Sequence, residues 1–525
     1  MSKIKLLDCT LRDGGYINNW NFGYNVIKNI MANIASSNMD IIECGFITGK
    51  EYNKDYSLYN NVNDVNRLID KDNSDNMYVA MIAIGEKEID PNLLCPKNEA
   101  IIDGIRLTFH EQEIGKALKY GQIIMEKGYK LFMQPVGTTL YTDKNLIELI
   151  EKINKLSPYA FYLVDTMGTM YPNDIERMLY LIENNLNEDI SLGFHSHNNL
   201  QLSFSNAQKM VDFKTDRELI IDCSIFGMGR GAGNLCTEMI CDYINKNKSY
   251  KYDIIPILES IEEDLMSIYV NSPWGYSAGY FLAAANYCHP NYTSYLVSKQ
   301  AMKVQTISKL LEQIPYERRG LFDKDIIEDI YMKYQVNNID DHKSIKEIKK
   351  ITKGRAILIL GAGKSIINNE EEIKKYVQKN NPFVIAVNYI PENINIDMVF
   401  IGNNKRYNAI KEKLGKKEAI ITSNVRNIKE GIIVNYSDLL NTSDEVFDNS
   451  GLMLIKLLMN LSVDSIMLAG FDGFNNNLAN NYIYEKMVGD MESYQIEQKN
   501  KAISEELKRM NKLFKIKFIT PSKYI

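Results

Sequence analysis

The chain has no CxxC pair. Its seven cysteines (Cys9, Cys44, Cys95, Cys223, Cys236, Cys241 and Cys288) are scattered and odd in number, which speaks against a disulfide framework or a zinc knuckle and predicts reduced thiols. No long block of Lys or Arg occurs, and 61 basic against 67 acidic side chains leave a net charge of −6, so nucleic acid is not an expected partner. No apolar run approaches the roughly 18 residues of a membrane span, and the opening MSKIKLLDCTLRD puts charge directly behind four apolar residues, too few for a signal peptide. The expectation is a cytoplasmic protein with no membrane span. Histidine is scarce as well: of five, His110, His195, His197, His289 and His342, two sit in one tripeptide.

Against these absences stands a repeated pattern. At 525 residues the chain is too long for one ordinary core. Its first half carries eight short β-rich runs: IKLLDC (4–9), DIIECGF (40–46), MYVAMIAI (77–84), GIRLTF (104–109), KLFMQPV (130–136), AFYLVD (160–165), ISLGFHSH (190–197) and LIIDCSIFG (219–227). Helix-like stretches separate them, and eight strands alternating with helices predict a TIM barrel, (β/α)8, over residues 1–245. A doubly wound sheet of four or five strands would leave strands over. Residues 246–336 read as a helical appendage, the polar stretch 337–355 as a linker, and 356–525, opening with AILILGAGKSI, as a Rossmann-like α/β domain.

A barrel does its chemistry at the C-terminal ends of its strands. There the chain places DCTLRDGG (8–15) behind the first run and GFHSHNN (193–199) at the seventh. His195 and His197, two apart on a strand, project to one side, and with an Asp carboxylate they suit a divalent metal with open positions. Taken singly, the HxH is equally a polar strand edge and RDG a turn.

Together with GMGRGAGNLCTE (227–238), these motifs resemble the metal-dependent aldolase and lyase superfamily that includes 4-hydroxy-2-oxovalerate aldolase and hydroxymethylglutaryl-CoA lyase, with isopropylmalate synthase as a Claisen-type relative. The resemblance covers roughly residues 1–300. It implies that Asp13, His195 and His197 bind Mn²⁺ or Mg²⁺, that Asn234 completes the shell, and that Arg12 stabilises an enolate, with Glu43 beside it. Asp165 and Thr166 match a substrate-binding pair, and Asp165 could equally cap the following helix. Where the 4-hydroxy-2-oxovalerate aldolases carry an acid/base histidine, this chain has Tyr16, whose ordinary pKa of about 10 makes it a poor base. The segment WGYSAGYFLAAANY (274–287) resembles one that returns a tyrosine to the active site, nominating Tyr276. Arg230 stands where a small residue is usual; it could grip a substrate carboxylate or phosphate, or be a solvated loop arginine. The implied activity is a carbon–carbon lyase acting on a 2-oxo acid and an aldehyde, with a Claisen-type acyl-CoA reaction as the alternative, in a homo-oligomer.

The second domain's GxG turn satisfies neither nucleotide pattern in full. A Walker A loop needs glycine at Leu358, and GxGxxG needs it at Ile366. With NSGLMLIKLLMNLSVDSIMLAGFDGF (449–474) the turn resembles the nucleotide-binding portion of sialyltransferase-like and motility-associated glycosyltransferase-like domains. That likeness implies a nucleotide or nucleotide-sugar site using Gly361, Gly363, Lys364, Ser365 and Asp472; a scaffold without ligand is the other reading.

Overall fold

The computed structural model describes residues 3–69, 76–248, 252–299, 301–414, 418–461, 463, 465–477, 480–484, 487 and 493–524. The chain divides into two compact units, one of residues 1–290 and 316–322, the other of residues 291–315 and 323–525. The stretch expected as one helical appendage is therefore shared between them.

In the first unit the eight apolar runs become strands: β1 (Ile4–Asp8), β2 (Ile41–Ile47), β3 (Met77–Ala83), β4 (Gly104–Phe109), β5 (Lys130–Pro135), β6 (Ala160–Asp165), β7 (Ser191–Ser196) and β8 (Leu219–Cys223). Each pairs in parallel with the next, and β8 closes onto β1, giving the eight-stranded barrel. The strands are buried on both faces, as continuous apolar runs such as the fully buried IIECGFI of β2 demand. Amphipathic helices cover the outside. In Asp143–Leu156, Leu146, Leu149, Ile150 and Ile153 bury one stripe, and Thr142 caps the start by accepting from the Asn145 N–H. Burying each such side chain stabilises the fold by about 1.5–3 kcal/mol before entropy is counted.

Two glycines shape the interior. A Cβ at Gly193 of β7 would lie 2.3 Å from the Tyr162 ring of β6, so its absence lets that ring into the barrel. Gly45, at φ +142°, sits where the pairing of β2 with β3 shifts register between Glu43 and Phe46. That bulge bends β2 just past Glu43.

The second unit is a parallel sheet of β9 (Ile357–Leu360), β10 (Phe383–Val387), β11 (Met398–Ile401), β12 (Glu418–Thr422), β13 (Ile432–Val434), β14 (Ile466–Ala469) and β15 (Ile516–Phe518), in the order β13-β12-β11-β10-β9-β14-β15. Its central helix, Ser450–Asn460, is apolar nearly all round and buries seven residues. The stretch read as a linker holds a helix, His342–Thr352, whose Ile348 is buried in this unit's core. Among the described residues all seven cysteines are free thiols, and no helix is long and apolar enough to cross a membrane.

Candidate metal centre

Asp13 ends the short helix Thr10–Asp13 behind β1, His195 lies near the end of β7, and His197 follows it. One potential ligand atom from each lies within 4.8 Å of the others, and all three residues are buried. The two imidazoles meet edge to face, centroids 5.3 Å apart. Asn234 reaches the same point: its backbone bridges to His197, and its Nδ2 donates to Asp13 Oδ2 at 2.5 Å and to the Met228 carbonyl at 3.1 Å.

Burial raises the Asp13 carboxyl, but Arg12, the two imidazoles and Arg230 outweigh it and hold the group well below the usual carboxylate range. Burial pushes His197 down to about 3, despite the attraction of Asp13. An ionised carboxylate thus faces a neutral imidazole, the forms in which both ligate metal. His197 Nδ1 and Asn234 Oδ1 are buried without a hydrogen-bond partner. Such orphaned acceptors are costly unless something binds them, so the residues present fit a divalent cation.

A buried ionic chain holds this cluster. Arg12 Nε donates to Glu43 Oε2 at 2.9 Å and Arg12 Nη1 to Asp13 Oδ1 at 2.8 Å. Arg106 of β4, fully buried, donates through Nη1 to the same Glu43 oxygen at 2.5 Å and through Nη2 to Asp222 Oδ2. Asp222 Oδ2 in turn lies 3.0 Å from His195 Nδ1. Although burial opposes it, Arg106 and His195 keep the Asp222 carboxyl low and ionised. An ionised carboxylate can only accept, so His195 carries its proton on Nδ1 and leaves Nε2 for a metal. Sequence reasoning missed Arg106 and Asp222; the available signal was a charge inside each of the apolar runs GIRLTF and LIIDCSIFG.

Around the cluster lies a cationic mouth. The Tyr16 hydroxyl donates to Glu86 Oε1 at 3.1 Å, and the Arg230 guanidinium lies 5.0 Å from the Tyr16 ring centroid. Lys87 Nζ pairs with Glu86 at 2.5 Å and sits 4.1 Å from the Trp20 ring centroid and 5.0 Å from that of Phe46. Trp20, in the left-handed region at φ +61°, donates its indole N–H to the Arg12 carbonyl at 2.8 Å. Burial keeps the Tyr16 hydroxyl protonated far above its ordinary range. Glu86 and Lys87 also went unread in the sequence.

Three further nominated residues are placed as follows. Tyr276 is 61% exposed on a loop, so its side chain is turned to solvent. Asp165 is spent on its own loop, accepting from the Thr169 and Met170 N–H groups at 2.9 and 3.0 Å, and burial raises it to about 6. Thr166 Oγ1 likewise accepts from the Gly137 N–H at 2.8 Å.

In the second unit the five nominated residues gather beyond the ends of β9 and β14, where the strand order reverses, the usual ligand crevice of such sheets. Asp472 already fills it. Its carboxylate accepts from the Ser365 N–H at 2.7 Å and from the Ser365 hydroxyl, and a Cβ on Gly363 would lie 2.5 Å from its carboxyl carbon. The Gly361 and Gly363 N–H groups donate to the Ala469 and Gly470 carbonyls, and Lys364 to Asn480. The N–H groups of Gly361, Gly363 and Ser365 and the Lys364 ammonium are thus engaged within the protein.

Residues 111–259 match the HMGL-like family. The chain is similar to the oxaloacetate decarboxylase of Mycobacterium tuberculosis, 23% identical over 288 residues that span 52% of this chain and 81% of that protein. It is similar too to the 4-hydroxy-2-oxovalerate aldolase of Bacillus cereus, 25% identical over 264 residues, 48% of this chain and 72% of that protein. Among solved structures, one of Rhizobium etli pyruvate carboxylase superposes with a TM-score of 0.50 at 13% identity, over 63% of this chain and 36% of that one, a likeness of fold alone. The first unit is an enzyme barrel with aldolase and decarboxylase relatives, and part of it matches the HMGL-like family.

Proposed function

We propose that the barrel is a divalent-metal-dependent carbon–carbon lyase, an aldolase acting on or releasing pyruvate or a related 2-oxo acid through its enolate. The observation that carries this reading is the buried Asp13–His195–His197 cluster with Arg12 bonded to its carboxylate. Those three residues, with Asn234 Oδ1, would hold Mn²⁺ or Mg²⁺. When bound, the ion supplies Lewis-acid polarisation of the 2-oxo acid's carbonyl.

The chain's own groups do the rest. Arg12 uses Nε and Nη1 on Glu43 and Asp13, and its Nη2 is buried without a partner. That free donor is the one for a developing enolate oxygen, and its charge does not titrate. Glu43 fixes the plane of the guanidinium. In the cleavage direction the bond between C3 and C4 of a 4-hydroxy-2-oxo acid breaks, its electrons form the enolate, and the C4 hydroxyl becomes the aldehyde carbonyl as it loses its proton. Tyr16 takes that proton while passing its own to the Glu86 carboxylate it already donates to. Return of that proton to the enolate at C3 gives the 2-oxo acid and restores the Glu86 carboxylate.

Proton NMR of pyruvate in D₂O, with Mn²⁺ or Mg²⁺ at sub-broadening levels, tests the reading. Metal-dependent loss of the methyl signal, abolished by chelator and by Asp13→Asn, is expected. No exchange by metal-loaded protein would overturn pyruvate as the enolate source.

A further inference from the structure

Charge at the site does not balance without a particular kind of ligand. Four cations, Arg12, Arg106, Arg230 and Lys87, stand with four anions, Asp13, Glu43, Asp222 and Glu86, so the cluster is neutral (4 − 4 = 0). A divalent ion adds two positive charges in a largely desolvated space, where uncompensated charge is costly. The carboxylate of a simple 2-oxo acid cancels one of them. The other is offset only once an enolate forms, or from the start by a substrate with a second anionic group; Glu86 is paired with Lys87.

Geometry says where the second negative charge would go. Arg12 and Arg106 are fixed by carboxylates on their own chain. Arg230 is not. Among the described residues it forms no ion pair, and its guanidinium is parked against the face of Tyr16. The Tyr16 ring it stacks on donates its hydroxyl to Glu86 and also carries Lys87, 5.1 Å from its centroid, so both cations gather around one ring. Lys87 is held at the same mouth by three aromatic rings, with its side chain 14% exposed. A guanidinium stacked on a ring keeps its planar N–H fork free for a bidentate acceptor.

We propose that the substrate of this barrel is a dianion: a 2-oxo acid bearing a second anionic group, carboxylate or phosphate, gripped by Arg230 with Lys87 in support. This rests on the 2-oxo acid reading above and adds its substrate class. Recognition by such a pair is expected to favour a dianion over a monoanion of similar size by about tenfold or more, the scale of one charge-assisted hydrogen bond.

The test is calorimetric binding of 2-oxobutyrate, 2-oxoglutarate and 3-phosphonopyruvate to the Mn²⁺-loaded full chain, in wild type, Arg230→Met, Arg230→Lys and Lys87→Met. The expected result is at least about a tenfold preference for one dianion, falling toward unity in Arg230→Met and partly kept in Arg230→Lys. Which dianion is preferred identifies the second group as carboxylate or phosphate. Equal binding of all three, or a preference that survives in both Arg230→Met and Lys87→Met, overturns the dianion site and leaves the 2-oxo acid reading standing. No Mn²⁺-dependent binding of 2-oxobutyrate together with no pyruvate exchange overturns both. Circular dichroism of each variant identifies any that fails to fold, and Arg230→Lys then carries the comparison.

Discussion

Replacing Asp222 by Asn should weaken metal binding without touching a metal ligand. The carboxylate accepts from His195 Nδ1 at 3.0 Å and from Arg106, and it is ionised. Asparagine keeps the shape and can keep a carbonyl oxygen in the same place, but it removes the negative charge that makes His195 the more basic ligand. Partners of this kind contribute about tenfold to a hundredfold in metal affinity, equivalent to about 1.4–2.7 kcal/mol. Arg106 still has Glu43, so the fold should lose only about 1–3 kcal/mol. Mn²⁺ titration calorimetry on the folded variant reads the affinity directly. Phe132→Leu, a buried change in the apolar part of the barrel interior, should cost comparable stability with no change in Mn²⁺ affinity. A Kd for Asp222→Asn within twofold of wild type would refute the argument that Asp222 sets the tautomer and basicity of His195.

Mn²⁺ at a hundred times its Kd should add about 2.7 kcal/mol to stability, a shift in thermal unfolding that His197→Ala removes; an equal shift in that variant would place the ion elsewhere. Asp8 accepts from the Thr10 N–H and the Thr237 hydroxyl, and burial raises it to about 6. Because the folded value lies above the unfolded one, the folded state binds the extra proton between about pH 4 and 6, and stability falls as pH rises through that window. Asp8→Asn should therefore gain about 1–2 kcal/mol on wild type between pH 5 and 8 in urea unfolding, and a pH-independent difference would contradict it. A Cβ at Gly15 would lie 2.0 Å from the Trp20 ring, so Gly15→Ala should displace the indole from the Arg12 carbonyl, shift tryptophan fluorescence and slow pyruvate exchange at least tenfold. Unchanged emission would show that the loop absorbs the methyl group.

The barrel was legible because each strand is an apolar run and each covering helix keeps its periodicity. Asp13, His195 and His197 were legible because two of them share a strand and the third ends a motif at the same face. Arg106 and Asp222 were not, since each looks like an ordinary strand residue until the barrel closes and brings opposite walls together. Asp165 and Thr166 illustrate a different limit: their residue types were legible, but the loop N–H groups their oxygens accept from were not. In NNIDDHKSIKEIKKITKGR the polar majority hid a stripe of Ile345, Ile348 and Ile351, and so a helix read as a linker. In the second unit the sequence grouped Ser365 with Asp472, 107 positions away, but did not reveal that the two bond directly to each other.

Arg106 touches Glu43 on β2 and Asp222 on β8, and through them Arg12 on one side and His195 on the other. Neither half can be altered alone. A change at Glu43 alters the field felt by Asp222, so substitutions on the two strands should combine non-additively although the carboxylates belong to different walls. A new substrate should therefore be reached more readily by rewriting the mouth around Arg230 and Lys87 than by rewriting the charged floor beneath it.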